Sequence, residues 1–222
     1  MFIAIPEYLK ENVTDVSPGH WRVQACILKI NMSNILILNT YYPCDPKTLR
    51  FDDSELLEVF DSIDKILEKN EFHQLVWGGD INCDFSRRTG FVESVDRYVT
   101  ELQLVKSWDR FDVDFTHVFE VEENTYVSKI DHFFWNEGLD EKVSDGGVIH
   151  MVDNNSDHSV IYCVVEVGNC DSSISDSSRG VPKPNWKKST EDQRSNYKRV
   201  IERKLEGVEI PESFTSCSRC SL

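Results

Sequence analysis

Trp77-Gly78-Gly79-Asp80-Ile81-Asn82 is the stretch on which the reading of this chain turns. An apolar run, Leu75-Val76-Trp77, stops at two glycines and is followed by Asp-x-Asn. A buried strand that ends this way delivers its next side chains to the rim of a sheet. Glycine accepts the turn and lets a ligand come close to the backbone. Side chains two residues apart in an extended segment share a face, so Asp80 and Asn82 should point the same way. The carboxylate can hold or activate a water, and the amide can donate to a phosphoryl oxygen without adding charge. Gly-Asp-x-Asn alone also describes an ordinary turn, so its neighbours have to sharpen the reading.

Working outward, four further strings follow the same logic of polar groups at strand ends. They are Asn39-Thr40-Tyr41-Tyr42-Pro43, Phe115-Thr116-His117, Ser128-Lys129-Ile130-Asp131-His132 and Ser156-Asp157-His158. Together, in this order, they resemble the endonuclease/exonuclease/phosphatase superfamily, and more narrowly the endonuclease domain of LINE-type retrotransposons. That family carries N-x-Y-x-P, G-D-x-N, a Thr upstream of S-[KR]-I-D, and S-D-H. The match runs from about Trp21 to Glu166, and more weakly from Pro182 onward.

The resemblance implies an α/β fold, a layered β-sandwich flanked by helices. It also implies a DNA-nicking endonuclease that hydrolyses phosphodiesters with Mg2+, or with Mn2+ as the alternative. A phosphodiester repels nucleophiles, so such a site needs a positioned water, a cation and neutral or positive groups around the phosphate. By resemblance, Asp80 orients or deprotonates the water and Asn82 is its partner at the scissile phosphate. Asp157 is the metal-side carboxylate, as suits a hard oxygen-seeking ion. His158 contacts the phosphate, and Asp131 holds it and keeps it protonated. Tyr41 and Thr116 reach the phosphate through their hydroxyls. Plainer readings stand beside these: Tyr41 also suits an aromatic closing a strand, and Thr116 a packing residue. Ser128 and Ser156 are expected to shape loops and His132 to pack. His20, His73, His117 and His150 have no motif support and read as surface or structural residues.

The spacing predicts the remaining elements. Arg22–Ile30 and Ile35–Tyr42 read as a hairpin around Asn31-Met32-Ser33-Asn34. Leu56, Phe60, Ile63 and Leu67 recur at helical spacing within a helix from about Asp53 to Asn70. Strand Gln74–Trp77, helix Phe91–Leu104, a short strand Val105–Trp108, and strands Thr125–Trp135 and Ser159–Glu166 complete the pattern. Met1–Ile5 reads as a strand ending at Pro6. Gly146-Gly147 reads as a turn. Residues 1–167 form the expected domain. Residues 168–182 are rich in Ser, Asp and Asn and read as a linker. Residues 183–222 open on Lys183-Pro184-Asn185-Trp186-Lys187-Lys188 and continue as a helix through about Leu205. In LINE-type proteins a similar segment precedes a reverse transcriptase.

Composition bounds the function. The 222 residues carry a formal net charge of −15, which argues against a simple nucleic-acid binder yet leaves room for a carboxylate-rich, metal-dependent nuclease. Seven scattered cysteines read as reduced, intracellular thiols rather than a disulfide frame. Cys217-Ser218-Arg219-Cys220 is a C-x-x-C without a second pair, which reads as a plain tail sooner than as a zinc half-site. The N-terminus lacks the build of a signal peptide and no run is long enough to span a membrane, so a nuclear or cytoplasmic location is expected.

The family pattern begins with an Asn-ending strand and a Glu-bearing strand that binds the metal. Glu7 and Glu11 do not match that Glu. The expectation is a chain lacking the first strands of the fold: a truncated copy or gene-model fragment. Three readings stay open: an active endonuclease, a non-catalytic remnant, and a phosphatase or abasic-site nuclease of the same superfamily.

Overall fold

Hairpin chemistry and period-two alternation build the main sheet. The computed structural model describes residues 1–44, 53–151, 154, 156–167, 190, 195 and 199. A 3-10 helix over Glu7–Asn12 leads into β1 (Val13–Asp15), and β2 (Val23–Ile30) and β3 (Ser33–Tyr41) form the expected hairpin. Asn31 and Met32 between them have φ of 53° and 51°. Two left-handed central residues give the turn whose twist matches that of the flanking strands.

The helix α1 (Ser54–Lys69) lies between β3 and β4 (Gln74–Asp80), which run parallel; parallel neighbours need such a crossover. Next come α2 (Gly90–Glu101), β5 (Leu104–Lys106) and α3 (Ser107–Arg110). The Thr89 side chain caps α2 by accepting the Val92 N–H. A second hairpin, β6 (His117–Val121) and β7 (Asn124–Ser128), precedes β8 (Asp131–Asn136), α4 (Glu137–Asp140), β9 (Val143–Ile149) and β10 (Val160–Val165). The six-stranded sheet runs β1-β2-β3-β4-β8-β5, and β9–β10 and β6–β7 are separate two-stranded sheets.

Alternation along the strands makes two cores. Leu36 and Leu38 of β3, Leu75 and Trp77 of β4 and Phe134 of β8 pack with Leu56, Val59, Ile63 of α1 and Val95, Val99 of α2. The intervening residues of β4 and β8, namely Val76, Phe133 and Trp135, meet Val143, Cys163 and Val165 of β9 and β10. Helices therefore cover one face of the sheet and a smaller sheet covers part of the other. This is the expected layered α/β architecture. Trp77 is fully buried, and its Nε1 donates to Thr40 Oγ1 at 2.7 Å, so the largest core side chain carries no unpaired polar atom.

Three elements depart from expectation. The strand expected over Thr125–Trp135 breaks at Lys129-Ile130, where the chain leaves β7 and enters β8 in a different sheet. Backbone groups at the break are satisfied from elsewhere: Ile130 accepts from the Ile81 N–H, and Ile130 and Asp131 donate to the Thr116 hydroxyl. Met1–Pro6 forms no strand; Asn39 Nδ2 donates to its Phe2 carbonyl at 3.1 Å. Gly146 and Gly147 lie inside β9 rather than in a turn. A Cβ on Gly146 would stand 2.8 Å from the Phe111 ring, and one on Gly147 would stand 3.2 Å from Tyr162. Close aromatic approach, not a bend, demands glycine there.

The compact unit Met1–Cys170 holds all of these elements, and Asp171–Leu222 forms a second unit. The expected linker, basic helix and terminal C-x-x-C lie outside the described residues, apart from Thr190, Ser195 and Arg199. Among the described residues, Cys26, Cys44, Cys83 and Cys163 are in no disulfide, and no helix is long and apolar enough to cross a membrane.

Candidate active site

Strands β4 and β8 pair antiparallel with Asp80 directly opposite Asp131. Both residues alternate with helix-facing side chains, so both carboxylates stand on the face away from the helices. His158 arrives from the segment before β10 and joins them. Its Nδ1 lies 2.9 Å from Asp131 Oδ2 and 3.1 Å from Oδ1, and its Nε2 lies 3.9 Å from Asp80 Oδ2. Three residues from three sequence motifs thus form one carboxylate–imidazole–carboxylate chain.

Electrostatics set two opposite poises within it. Burial, reinforced by the neighbouring Asp131 charge, pushes the Asp80 carboxyl up to about 6, against the pull of His158 and of the Asn82 N–H. The hydrogen bond to Asp131 raises His158 above its ordinary value, outweighing its partial burial. The result is a carboxylate that titrates near neutrality beside an imidazole that favours its charged form. Environments that pull titratable neighbours apart in this way mark acid–base sites.

The remaining expected residues sort themselves by geometry. Asp157 is at hand, with its side chain 60% exposed and Oδ2 3.3 Å from His117 Nε2. Tyr41 pairs in register with Asp80 across β3 and β4, and its ring lies 6.2 Å from Trp21 with the Arg22 guanidinium 5.2 Å above it. Asn82 corrects the simple period-two argument. Its φ is 51°, its N–H donates to Asp80 Oδ1 at 3.0 Å, and its Nδ2 donates to the Tyr42 carbonyl at 2.9 Å. The chain turns left-handed beyond β4, so Asn82 ties the strand end down instead of sharing the face of Asp80.

Thr116 is a second correction. It is fully buried, and its Oγ1 accepts the N–H groups of Ile130 and Asp131, each at 3.0 Å. A hydroxyl so placed positions Asp131 and does not reach out to a phosphate. Gly78 and Gly79 sit within β4 and serve packing. A Cβ on Gly78 would stand 2.6 Å from the Phe133 ring; Gly79, at φ 147°, would drive one into the Thr40 carbonyl. His132 is buried as expected. Its Nε2 faces the carbonyls of Cys83 (2.7 Å) and Lys129 (2.9 Å), and desolvation pushes it down to about 4, so it is neutral.

One residue of this cluster escaped sequence reasoning. His117, which follows Thr116, lies with its ring centroid 4.7 Å from that of His158 and pairs with it in an isolated β-bridge. Only its adjacency to Thr116 pointed there, and nothing local signals that β6 meets the Asp157-His158 segment.

Among the described residues, two groups of side chains could hold a metal ion: His117, Asp157 and His158, and Asp80, Asp131 and His158. Each contains an imidazole, and neither offers Mg2+ more than two carboxylates. Asp131 already spends both oxygens on His158. Mg2+ is held by one or two carboxylates and completes its octahedron with waters and substrate phosphates; among the described residues Asp157 offers it one carboxylate, and the imidazoles of His117 and His158 suit a borderline ion better.

Two surface features border the carboxylates. An open trough of about 350 Å³ runs past Ile37, Gly78, Phe133 and Ile161 to Asp80 and Asp131. Beside it Trp21, 65% exposed, and Tyr41 flank Arg22, whose guanidinium lies 4.1 Å from the Trp21 ring centroid. That ledge of exposed rings and a cation was also not read from sequence.

No protein-family model and no curated protein sequence matches the chain. Solved structures do resemble it. The endonuclease domain of TRAS1, a telomere-specific non-LTR retrotransposon, superposes with a TM-score of 0.58 at 16% identity, over 71% of this chain and 69% of that one. The chain has the endonuclease/exonuclease/phosphatase fold. The 3′ phosphatase NExo from Neisseria, bound to a product DNA hairpin, gives a TM-score of 0.53 at 16% identity, covering 70% of this chain and 71% of that one. TDP2 from D. rerio, complexed with single-stranded DNA product, gives 0.50 at 15% identity, covering 71% and 70%. At these identities the likeness speaks for the fold, and the site must carry the chemistry.

Proposed function

We propose that this chain hydrolyses phosphodiester bonds in DNA as a nicking endonuclease of LINE-type retroelement descent. The observation that carries the reading is the Asp80–His158–Asp131 chain at the meeting of β4, β8 and the segment before β10. In its charged form Asp80 takes a proton from a water. A carboxylate of pKa about 6 is ionised at neutral pH and still basic enough for the transfer. His158, held charged by Asp131, offsets the phosphate charge that builds as the water attacks. The Trp21–Tyr41 ledge gives a nucleic-acid strand exposed rings to stack on, while the Arg22 guanidinium between them is engaged by Glu55 at 3.1 Å and the Tyr41 carbonyl at 3.2 Å and braces the rings. The TRAS1 domain is an endonuclease, and NExo and TDP2 are seen with DNA products; both facts support this reading. Mg2+ or Mn2+ near Asp157 is the ion the family resemblance implies. Asp157 would hold it and the ion would help neutralise the phosphate, while the steps above belong to the chain's own groups.

The net charge of −15 favours a second reading, in which the fold persists without turnover. Nicking of supercoiled plasmid by the purified full chain with Mg2+ or Mn2+ decides between them. Nicking that disappears in Asp80→Asn and His158→Ala supports the endonuclease. A folded protein that leaves the plasmid supercoiled with either ion overturns it.

A further inference from the structure

The two imidazoles beside Asp157 make a site of their own. We propose that His117, Asp157 and His158 form a binding site for a borderline transition-metal ion of the Zn2+ class, with an open coordination position facing solvent. The inference concerns ion binding and does not rest on the hydrolytic reading.

The donor set is the first support. One ligand atom from each residue lies within 4.8 Å of those of the other two. Two imidazoles and one carboxylate form the mixed nitrogen–oxygen set that Zn2+, Co2+ and Ni2+ take and that Mg2+ does not select. Three protein ligands with the next position open is the pattern of a zinc site that keeps a water.

Orientation is the second and independent support. Imidazoles that bind metals generally donate their other ring N–H to an oxygen, which fixes the tautomer and aims the free nitrogen. Both histidines are arranged that way. His158 Nδ1 lies against the Asp131 carboxylate at 2.9 Å, and His117 Nδ1 lies 3.2 Å from Ser128 Oγ. With Nδ1–H turned to those oxygens, an ion takes the Nε2 of each ring, displacing the proton that a charged His158 carries there, and His117 Nε2 already stands 3.3 Å from Asp157 Oδ2.

Rigidity is the third. The two segments that bring the ligands are clamped by backbone hydrogen bonds. Val118 N–H donates to the Asp157 carbonyl at 2.9 Å, and Ser159 N–H donates to the Thr116 carbonyl at 2.7 Å. His117 and His158 face each other across the β-bridge between those bonds. Holding ligands before the ion arrives lowers the ordering cost of binding it. Asp157, largely exposed, leaves the ion an entry path.

The test is Co2+ titration of the chelator-treated full chain, followed by visible absorption. A Cys217→Ser/Cys220→Ser background removes the terminal thiols. The expected result is saturable visible bands of a nitrogen–oxygen site, without the near-ultraviolet band of cobalt–thiolate. Zn2+ should displace the Co2+, and excess Mg2+ should not. His117→Ala should weaken binding at least ten-fold, and Ser128→Ala by a smaller factor through the orientation of His117. In the unmutated chain, the ring protons of His117 and His158 should broaden first as paramagnetic Co2+ is added, which reads the site without relying on any variant's folding. Unchanged Co2+ affinity in a folded His117→Ala protein, broadening that spares these two rings, or no saturable binding each overturns the proposal.

Discussion

Asp80→Asn should stabilise the protein at neutral pH while abolishing nicking, and the structure sets the size of the gain. Burial and the Asp131 charge raise the Asp80 carboxyl from the ordinary 3.8 to about 6. A group whose pKa is raised in the folded state contributes stability below its unfolded value, and that contribution is lost as pH rises through the folded value. From pH 3.8 up to about pH 6–7, then, the folded state progressively loses ground to the unfolded one. A rise from 3.8 to about 6, at 1.36 kcal/mol per pH unit, makes the ionised carboxylate cost about 3 kcal/mol above pH 7. Asparagine carries no charge to desolvate, and its side-chain oxygen can still accept the Asn82 N–H. The net expectation is about 2–3 kcal/mol at pH 8, or about 5–10 °C in Tm for a domain of this size. The gain should vanish near pH 4. Urea melts of both proteins from pH 4 to pH 8 read it directly. A stability difference that does not change with pH, or a variant less stable at pH 8, refutes the argument that Asp80 is held ionised at a cost.

Three further outcomes follow from the same geometry. Nicking should rise with pH through about 6 as Asp80 ionises and fall again as His158, whose pKa is raised, loses its proton; a pH–rate profile checks for both limbs. Thr116→Val leaves the buried N–H groups of Ile130 and Asp131 without an acceptor and should cost about 2–4 kcal/mol by urea denaturation, with Thr116→Ser recovering most of it. Trp77→Ala empties the centre of the helix-side core and orphans the Thr40 contact; a loss of about 3–5 kcal/mol is expected by thermal melting, with the circular-dichroism spectrum broadened toward the unfolded one.

Local chemistry accounts for what the sequence alone determined. The hairpin β2–β3, the amphipathic α1 and the strand beginning at Gln74 follow from patterns within about twenty residues (alternation, helical spacing, turn residues), although that strand runs past its expected end at Trp77 to Asp80. Three of the five motifs carry Asp80, Asp131 and His158, which the fold brings together where β4, β8 and the segment before β10 meet. Tertiary structure decided the rest. It bent the chain left-handed at Asn82, turning an expected phosphate contact into a tie to Tyr42. It buried Thr116 under β8, where its hydroxyl serves two backbone donors. It split one apparent strand between two sheets at Lys129-Ile130. It also set His117 against His158 across forty residues of intervening chain. Each of these depends on which distant backbone groups needed a partner once the layers packed. A linear pattern records a residue's own preferences and carries no record of those demands.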